Sequence, residues 1–250
     1  MDWVVIVVGL ILFLGLLIGI YRGALRIAVT LATTILSIAI AVFAMPYAVG
    51  FVVDKTPLDD IIEEDVVGTM EDAIYELAIE AAGITEEDAE AIEAVSADEE
   101  LTRDMQIKAI ESSDLPAVFK NLLTTNNNDE IYSELGVESF IEYTGAFLSR
   151  MFVQIIVFLG LFLVVTLLIR AIVFALDVVN DIPVFGLLNR LAGGAVGVFA
   201  SLFVIWFLFA AVTLLYTTNI GKDIYSSIQA NGVTKLIYEF NPLLKLSIRM

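Results

Sequence analysis

The 250-residue sequence contains no cysteine and no histidine. Without cysteine there is no disulfide framework, no thiolate metal site and no thiol nucleophile, and the redox compartment leaves no mark. Without histidine the commonest metal ligand and general base is gone. Basic residues are scarce too: 13 Lys and Arg face 31 Asp and Glu, for a formal charge of −18. Phosphate neutralisation needs Lys and Arg, so no nucleic-acid partner is expected. Neither the 16 glycines nor the 5 prolines recur at a fixed period, which excludes a collagen-like or low-complexity chain. What the chain has in excess is apolar residues, at 59%, where soluble domains run to roughly 45–50%.

Those residues are gathered into four runs. A hydrocarbon layer about 30 Å thick requires roughly 20 mostly apolar residues in helix. Residues 3–21, 27–45, 150–170 and 191–216 meet that length with no charge near any centre. In lipid each backbone N–H and C=O must be paired within the segment, so the runs are expected to be helices. The ten-residue alternation of barrel strands is absent from the sequence. Pro46 is expected to interrupt or redirect the second helix. The first run lacks a basic segment before it, and its basic residues Arg22 and Arg26 follow it. That order suits a retained anchor better than a cleaved signal peptide.

Charge is segregated as sharply as oil. Residues 54–150 carry 26 Asp and Glu against 5 Lys and Arg, a net of −21, whereas the rest of the chain nets +3. The acidity therefore belongs to an insert between the second and third spans. Four segments follow: a first transmembrane hairpin over 1–53, the acidic helical insert over 54–146, a second hairpin over 147–216, and an amphipathic helical tail over 217–250. Arg22 and Arg26 fall on one side of the membrane with Arg170 and Arg190, and the short first connection carries most weight in the positive-inside rule. Both termini and the insert are accordingly expected outside.

Within the insert, helix-start signals recur at Thr56-Pro57, Thr69 with Asp72, Thr85 before Glu86, and Ser96 with Glu99. Asn126-Asn127-Asn128 reads as a turn, and a single helix is expected from Glu138 into the third span. The acids sit among Ile61, Ile62, Val66 and Val67 as on a solvated helix face, with no calcium-loop spacing, so no metal or cofactor is expected. In the tail, Ile220, Ile224 and Ile228 share a face and Lys222, Lys235, Lys245 and Arg249 lie between apolar positions. Such a helix rests at the headgroups or packs on the insert.

Two spans carry small residues at four-residue spacing: Gly15, Gly19 and Gly23 on the first, Gly193, Gly197 and Ser201 on the fourth, with Asn189 one turn earlier on the same face. Stripes of this kind let helix backbones approach closely. Arg22, Arg26, Arg170 and Arg190 mark the inner boundary, where a snorkelled guanidinium costs little. Asp177 and Asp181 stand on that side as candidate partners for Arg22 or Arg190. With no nucleophile elbow, phosphate loop or dinucleotide fingerprint, no catalytic residue is assigned and the chain reads as a non-enzyme.

The stretch Gly19-Ile20-Tyr21-Arg22-Gly23-Ala24-Leu25-Arg26 is similar to the Arg-Gly-x-x-Arg connection of the colicin V production protein family. Residues Ile182-Pro183-Val184-Phe185-Gly186-Leu187-Leu188-Asn189-Arg190, continuing through Gly193 and Gly197, resemble that family's entry to its last span, and Tyr238-Glu239-Phe240-Asn241-Pro242 resembles its longer Gram-positive members. Ile27 stands where the family often has an acid, and Ala200-Ser201 stands where it often has a basic residue and a glycine. The resemblance covers about residues 1–53 and 147–245. It implies a multi-pass protein of the bacterial cytoplasmic membrane, linked to production or export of a peptide toxin and to envelope homeostasis.

Together these features describe an all-α polytopic membrane protein with four transmembrane helices and an inserted acidic helical extramembrane domain. The favoured role is non-catalytic, accessory or scaffolding. Its partners are the lipid bilayer, and either a second copy (a homo-oligomer) or another envelope protein met through the acidic domain. The alternative is a transporter or channel subunit whose path is lined by Thr30, Thr33, Thr34, Ser37, Thr166 and Asn189; a membrane hydrolase ranks below both.

Overall fold

A charge-free apolar run has one way to pair its backbone in hydrocarbon, and Trp3–Arg22 takes it as helix α1. The computed structural model describes residues 3–58, 61–63, 67–68, 102–113, 115–175, 186–216 and 218–248. Among these the chain is helical throughout, with no strand. Gly23 separates α1 from α2 (Ala24–Lys55) in a single residue. Its φ of 78° lies in the left-handed region, where a side chain would strain the backbone. The Gly23 amide closes α1 onto the Gly19 carbonyl at 2.8 Å, and its own carbonyl accepts from Ile27 N at 3.3 Å.

Helix α2 is not interrupted at Pro46, the first of the two outcomes expected from the sequence, and continues to Lys55. Proline removes one backbone donor, whereas unwinding the helix within lipid would leave several donors and acceptors unpaired. Continuing as helix is the smaller loss.

Among the described residues five further helices follow before the tail: α3 (Arg103–Ser112), α4 (Ala117–Asn126), α5 (Asp129–Leu135), α6 (Phe140–Ala175) and α7 (Gly186–Leu214). The tail forms α8 (Asn219–Ala230), α9 (Gly232–Glu239) and α10 (Pro242–Ser247). Helices α1, α2, α6 and α7 are each long and apolar enough to cross a membrane. Helix α6 begins near Glu138, as the sequence suggests, while α7 starts before the apolar run at Leu191 and ends at Leu214.

The chain divides into two compact units, one of residues 1–52 with 154–250 and one of residues 53–153. In the first, α1 packs along α7, and α8, α9 and α10 pack against α7, with α8 and α9 also touching α1. Within this unit the tail is therefore held against α7 and α1. Large apolar side chains on α1, α2 and α7 face outward, among them Phe13, Phe43 and Phe199. For a water-soluble unit such a surface would be an aggregation hazard; for a lipid-solvated one it is the expected exterior.

The second unit has its own core. Ile110, Phe119, Leu123, Tyr143, Phe147 and Met151 are fully buried. Tyr143 stacks on Tyr132 with centroids 4.7 Å apart, and Phe119 lies 5.0 Å from Phe152. The Tyr143 hydroxyl donates to the Leu123 carbonyl at 2.8 Å, and burial raises its pKa. The asparagine cluster is a turn, as its composition suggests, and each member acts differently. Asn128 caps α5 by accepting from Ile131 N, while the buried Asn127 donates to Gln106 Oε1 and accepts from the Tyr132 hydroxyl. The start signals at Thr69, Thr85 and Ser96, and the acids Asp59, Asp60, Glu64 and Asp65, lie outside the described residues. At Thr56-Pro57, Ile61 N donates to the Pro57 carbonyl at 3.1 Å in one helical turn.

Helix α6 opens on a reciprocal cap. Ser139 Oγ accepts from Glu142 N, and Glu142 Oε2 accepts from the Glu138 and Ser139 amides at 3.1 and 3.4 Å. The Glu138 amide, then that of Ser139, holds the Glu142 carboxyl below its usual pKa. A carboxyl whose pKa is lower folded than unfolded stabilises the fold above its unfolded pKa, and that contribution disappears as pH falls through the folded value. Thermal midpoints measured from neutral pH down through the carboxylate range should therefore fall less steeply in Glu142→Gln than in the parent. Equal pH slopes would contradict this cap.

Candidate functional site

The seam between α1 and α7 brings the two glycine stripes face to face. A Cβ placed on Gly15 would lie 2.7 Å from the Gly197 carbonyl oxygen and 2.8 Å from Ser201 Cβ. One on Gly193 would meet the Gly19 carbonyl oxygen and stand 2.8 Å from Gly23 Cα, and one on Gly197 would stand 2.9 Å from Gly19 Cα. The order of these pairs, Gly15 with Gly197 and Gly19 with Gly193, makes the two helices antiparallel. Backbone meets backbone, so dispersion and Cα–H···O contacts act where side chains would hold the helices apart. Gly194, outside the regular spacing, accommodates Leu16 and Ile20. By contrast Gly9, also on α1, has open space beside it.

The seam ends at the α1–α2 turn, where α7 supplies a polar cap. Asn189 Oδ1 accepts from Leu25 N at 3.4 Å, meeting one of the amides that an α2 start leaves without an intrahelical partner. Its Nδ2 is buried and has no hydrogen-bond partner. Arg22, Arg170 and Arg190 are exposed, and Arg26 is half-buried. Their positions at helix ends α1, α6 and α7 suit snorkelling toward headgroups. Asp177 and Asp181 lie outside the described residues.

The polar side chains of α2 bond to their own helix. Thr30 donates to the Arg26 carbonyl, Thr33 and Thr34 to that of Thr30, and Ser37 to that of Thr33. Ser201 likewise donates to Val198 O at 2.7 Å. Thr166 Oγ1 is buried without a hydrogen-bond partner. Among the described residues no group of three His, Cys, Asp or Glu side chains could hold a metal ion.

A second polar constellation is not evident from spacing. Trp206 Nε1 donates to the Ile237 carbonyl at 3.1 Å, and Asn241 Nδ2 donates to the Trp206 carbonyl at 2.8 Å. Thr213 Oγ1 and the Tyr238 hydroxyl are 2.9 Å apart, both buried. These bonds fasten the tail to α7 across 25 to 35 positions of sequence. The local clue is Asn241-Pro242, a capping side chain followed by a first-turn proline.

Residues 131–237 match the family model described as Colicin V production protein. The match includes the stretch through Asn189, Gly193 and Gly197 that carries the family resemblance, and it supports that recognition. It also takes in α5 and the start of α6, which lie in the second unit, and it leaves out the Gly19–Arg26 stretch. No curated protein and no solved structure matches the chain.

Proposed function

We propose, with the match to colicin V production proteins over residues 131–237 as the premise, that this chain is a non-catalytic accessory or scaffold protein of a bacterial cytoplasmic membrane. In that role it would assist production or export of a peptide toxin and support envelope homeostasis. The observation that carries this reading is how the hydroxyls of α2 and Ser201 are used, whereas Thr166 Oγ1 and Asn189 Nδ2 have no hydrogen-bond partner. The α2 hydroxyls and Ser201 satisfy carbonyls of their own helices, and α1 meets α7 at backbone contact. Such groups brace helices, whereas a solute path needs polar atoms turned toward a lumen.

The antiparallel α1–α7 pair supports placing Trp3 and the tail on one side of the membrane. The arginines at the other end favour that side being outside, with the acidic insert as the surface met by a partner. Reporter fusions at Met250 and within residues 90–100 should both read as external; two cytoplasmic readings would invert this orientation.

Function itself is tested in two arms. Photo-crosslinkers at Glu130 and Asp104 in native membranes should trap one recurrent envelope protein, or a second copy of the chain. Purified chain in liposomes should pass no more ion or peptide than empty vesicles. Flux well above empty vesicles would contradict the scaffold role and favour the transporter or channel reading.

A further inference from the structure

The tail is fastened to α7 at Trp206, well before the end of its apolar run. About 20 helical residues cross the hydrocarbon, so counting from Arg190 puts the far edge of the hydrocarbon near residue 210. Trp206 lies roughly 6 Å inside that edge at 1.5 Å per residue. Its indole and its carbonyl bind the two sides of the α9–α10 turn, at Ile237 and Asn241. The turn must therefore sit at the same level.

The bonding within the tail fits a site poor in water. Asn241 is 1% exposed and uses both ends of its amide: Nδ2 donates to Trp206, and Oδ1 accepts from Leu243 N and Leu244 N at 3.0 and 3.2 Å. Asn231 Oδ1 accepts from Val233 N, and Thr218 Oγ1 accepts from Gly221 N, so each helix start in the tail has a side-chain cap. Thr234 closes the α8–α9 join by donating to the Ile228 carbonyl at 2.7 Å. Breaks in a helix are tolerated at membrane depth when the freed backbone groups are re-satisfied in this way.

The outer face of the same segment is apolar. Val233, Leu236 and Phe240 are 59%, 55% and 66% exposed. Lys245 Nζ sits 5.5 Å over the Phe240 ring, and Lys235 pairs with Glu239 at 3.9 Å. A long lysine stem can cover a ring while its ammonium reaches toward a headgroup phosphate.

We propose that the α9–α10 turn is a wedge inserted among phospholipid acyl chains, in the leaflet opposite Arg22 and Arg190, with Trp206 and Asn241 as its anchor. Lipid, not a protein partner, covers Val233, Leu236 and Phe240. The proposal needs the four spans to lie in a bilayer and is independent of the accessory role above.

Because the chain has no cysteine, single-cysteine variants report cleanly. Phe240→Cys, Leu236→Cys, Asp223→Cys and Glu130→Cys would each be reconstituted in phosphatidylcholine–phosphatidylglycerol vesicles, with a charged maleimide on both sides of the membrane. Labelling at Phe240→Cys and Leu236→Cys should be about tenfold slower than at the other two, with the difference abolished in denaturant. A fluorophore on Phe240→Cys should be quenched more strongly by acyl-chain nitroxides than by headgroup nitroxides. Adding Asn241→Ala should restore fast labelling at Phe240→Cys, because the anchor is lost. Equal labelling rates at all four positions, or stronger quenching from the headgroup, would overturn the proposal. Slow labelling without acyl-chain quenching would also overturn it, by pointing to cover by protein.

Discussion

Gly193→Leu should lower the stability of the membrane unit by about 3 kcal/mol or more, toward or beyond the upper end of what overpacking costs. The reason is what the new side chain would meet. A Cβ at Gly193 runs into the Gly19 carbonyl and the Gly23 backbone, and neither is the movable end of a side chain. Relief requires α1 and α7 to separate, which forfeits the contacts along the whole seam. Gly23 adds a second constraint, since its left-handed φ leaves the turn little room to follow. Gly9→Leu is the matched control on α1, because nothing lies near its Cβ; it should change stability by no more than about 0.5 kcal/mol. Thermal or denaturant unfolding in a mild detergent measures both. Similar losses for the two variants would mean that the seam is not what holds these helices.

Phe119→Ala should destabilise the unit of residues 53–153 by about 3–5 kcal/mol. Phe119 is 0% exposed, against the ring of Phe152 and in one core with Leu123 and Tyr143. Truncation removes both transfer energy and ring contact, and the closely packed aromatic neighbours limit collapse around the void. At about 1.4 kcal/mol per decade, amide exchange over residues 103–135 should accelerate by a hundredfold or more where it reports opening of this unit. Met105, on the exposed side of α3, supplies the contrast: Met105→Ala should move the same rates by less than about threefold. A Phe119→Ala rate as mild as that of Met105→Ala would mean that the insert has no rigid core.

Much of this architecture can be read from the chain alone, for physical reasons. The spans are legible because lipid imposes a length and a near-absence of charge, and the stripes because a four-residue repeat on a helix is a face. Helix ends are less legible. Apolar runs mark the hydrocarbon and not the helix, so α2 extends through Pro46 to Lys55 and α6 begins at Phe140 inside the insert's core. The core itself is hidden because Phe147, Phe152 and Phe158 form one aromatic-rich sequence that continues into the span without a break. Burial within protein and burial in lipid select the same side chains. The tail is the other gap: its lysines and isoleucines read as a surface helix, and nothing local reveals that Asn241 answers the carbonyl of Trp206.

The α1–α7 seam is the claim on which the membrane unit rests, and glycine itself can report it. With only glycine Cα carbons isotopically labelled and the unmodified protein in lipid bilayers, magic-angle-spinning NMR should show dipolar cross-peaks joining Gly19 to Gly193 and Gly15 to Gly197. Spectra in which those glycines correlate with no glycine of the other helix, while the protein remains folded and helical, would contradict the account.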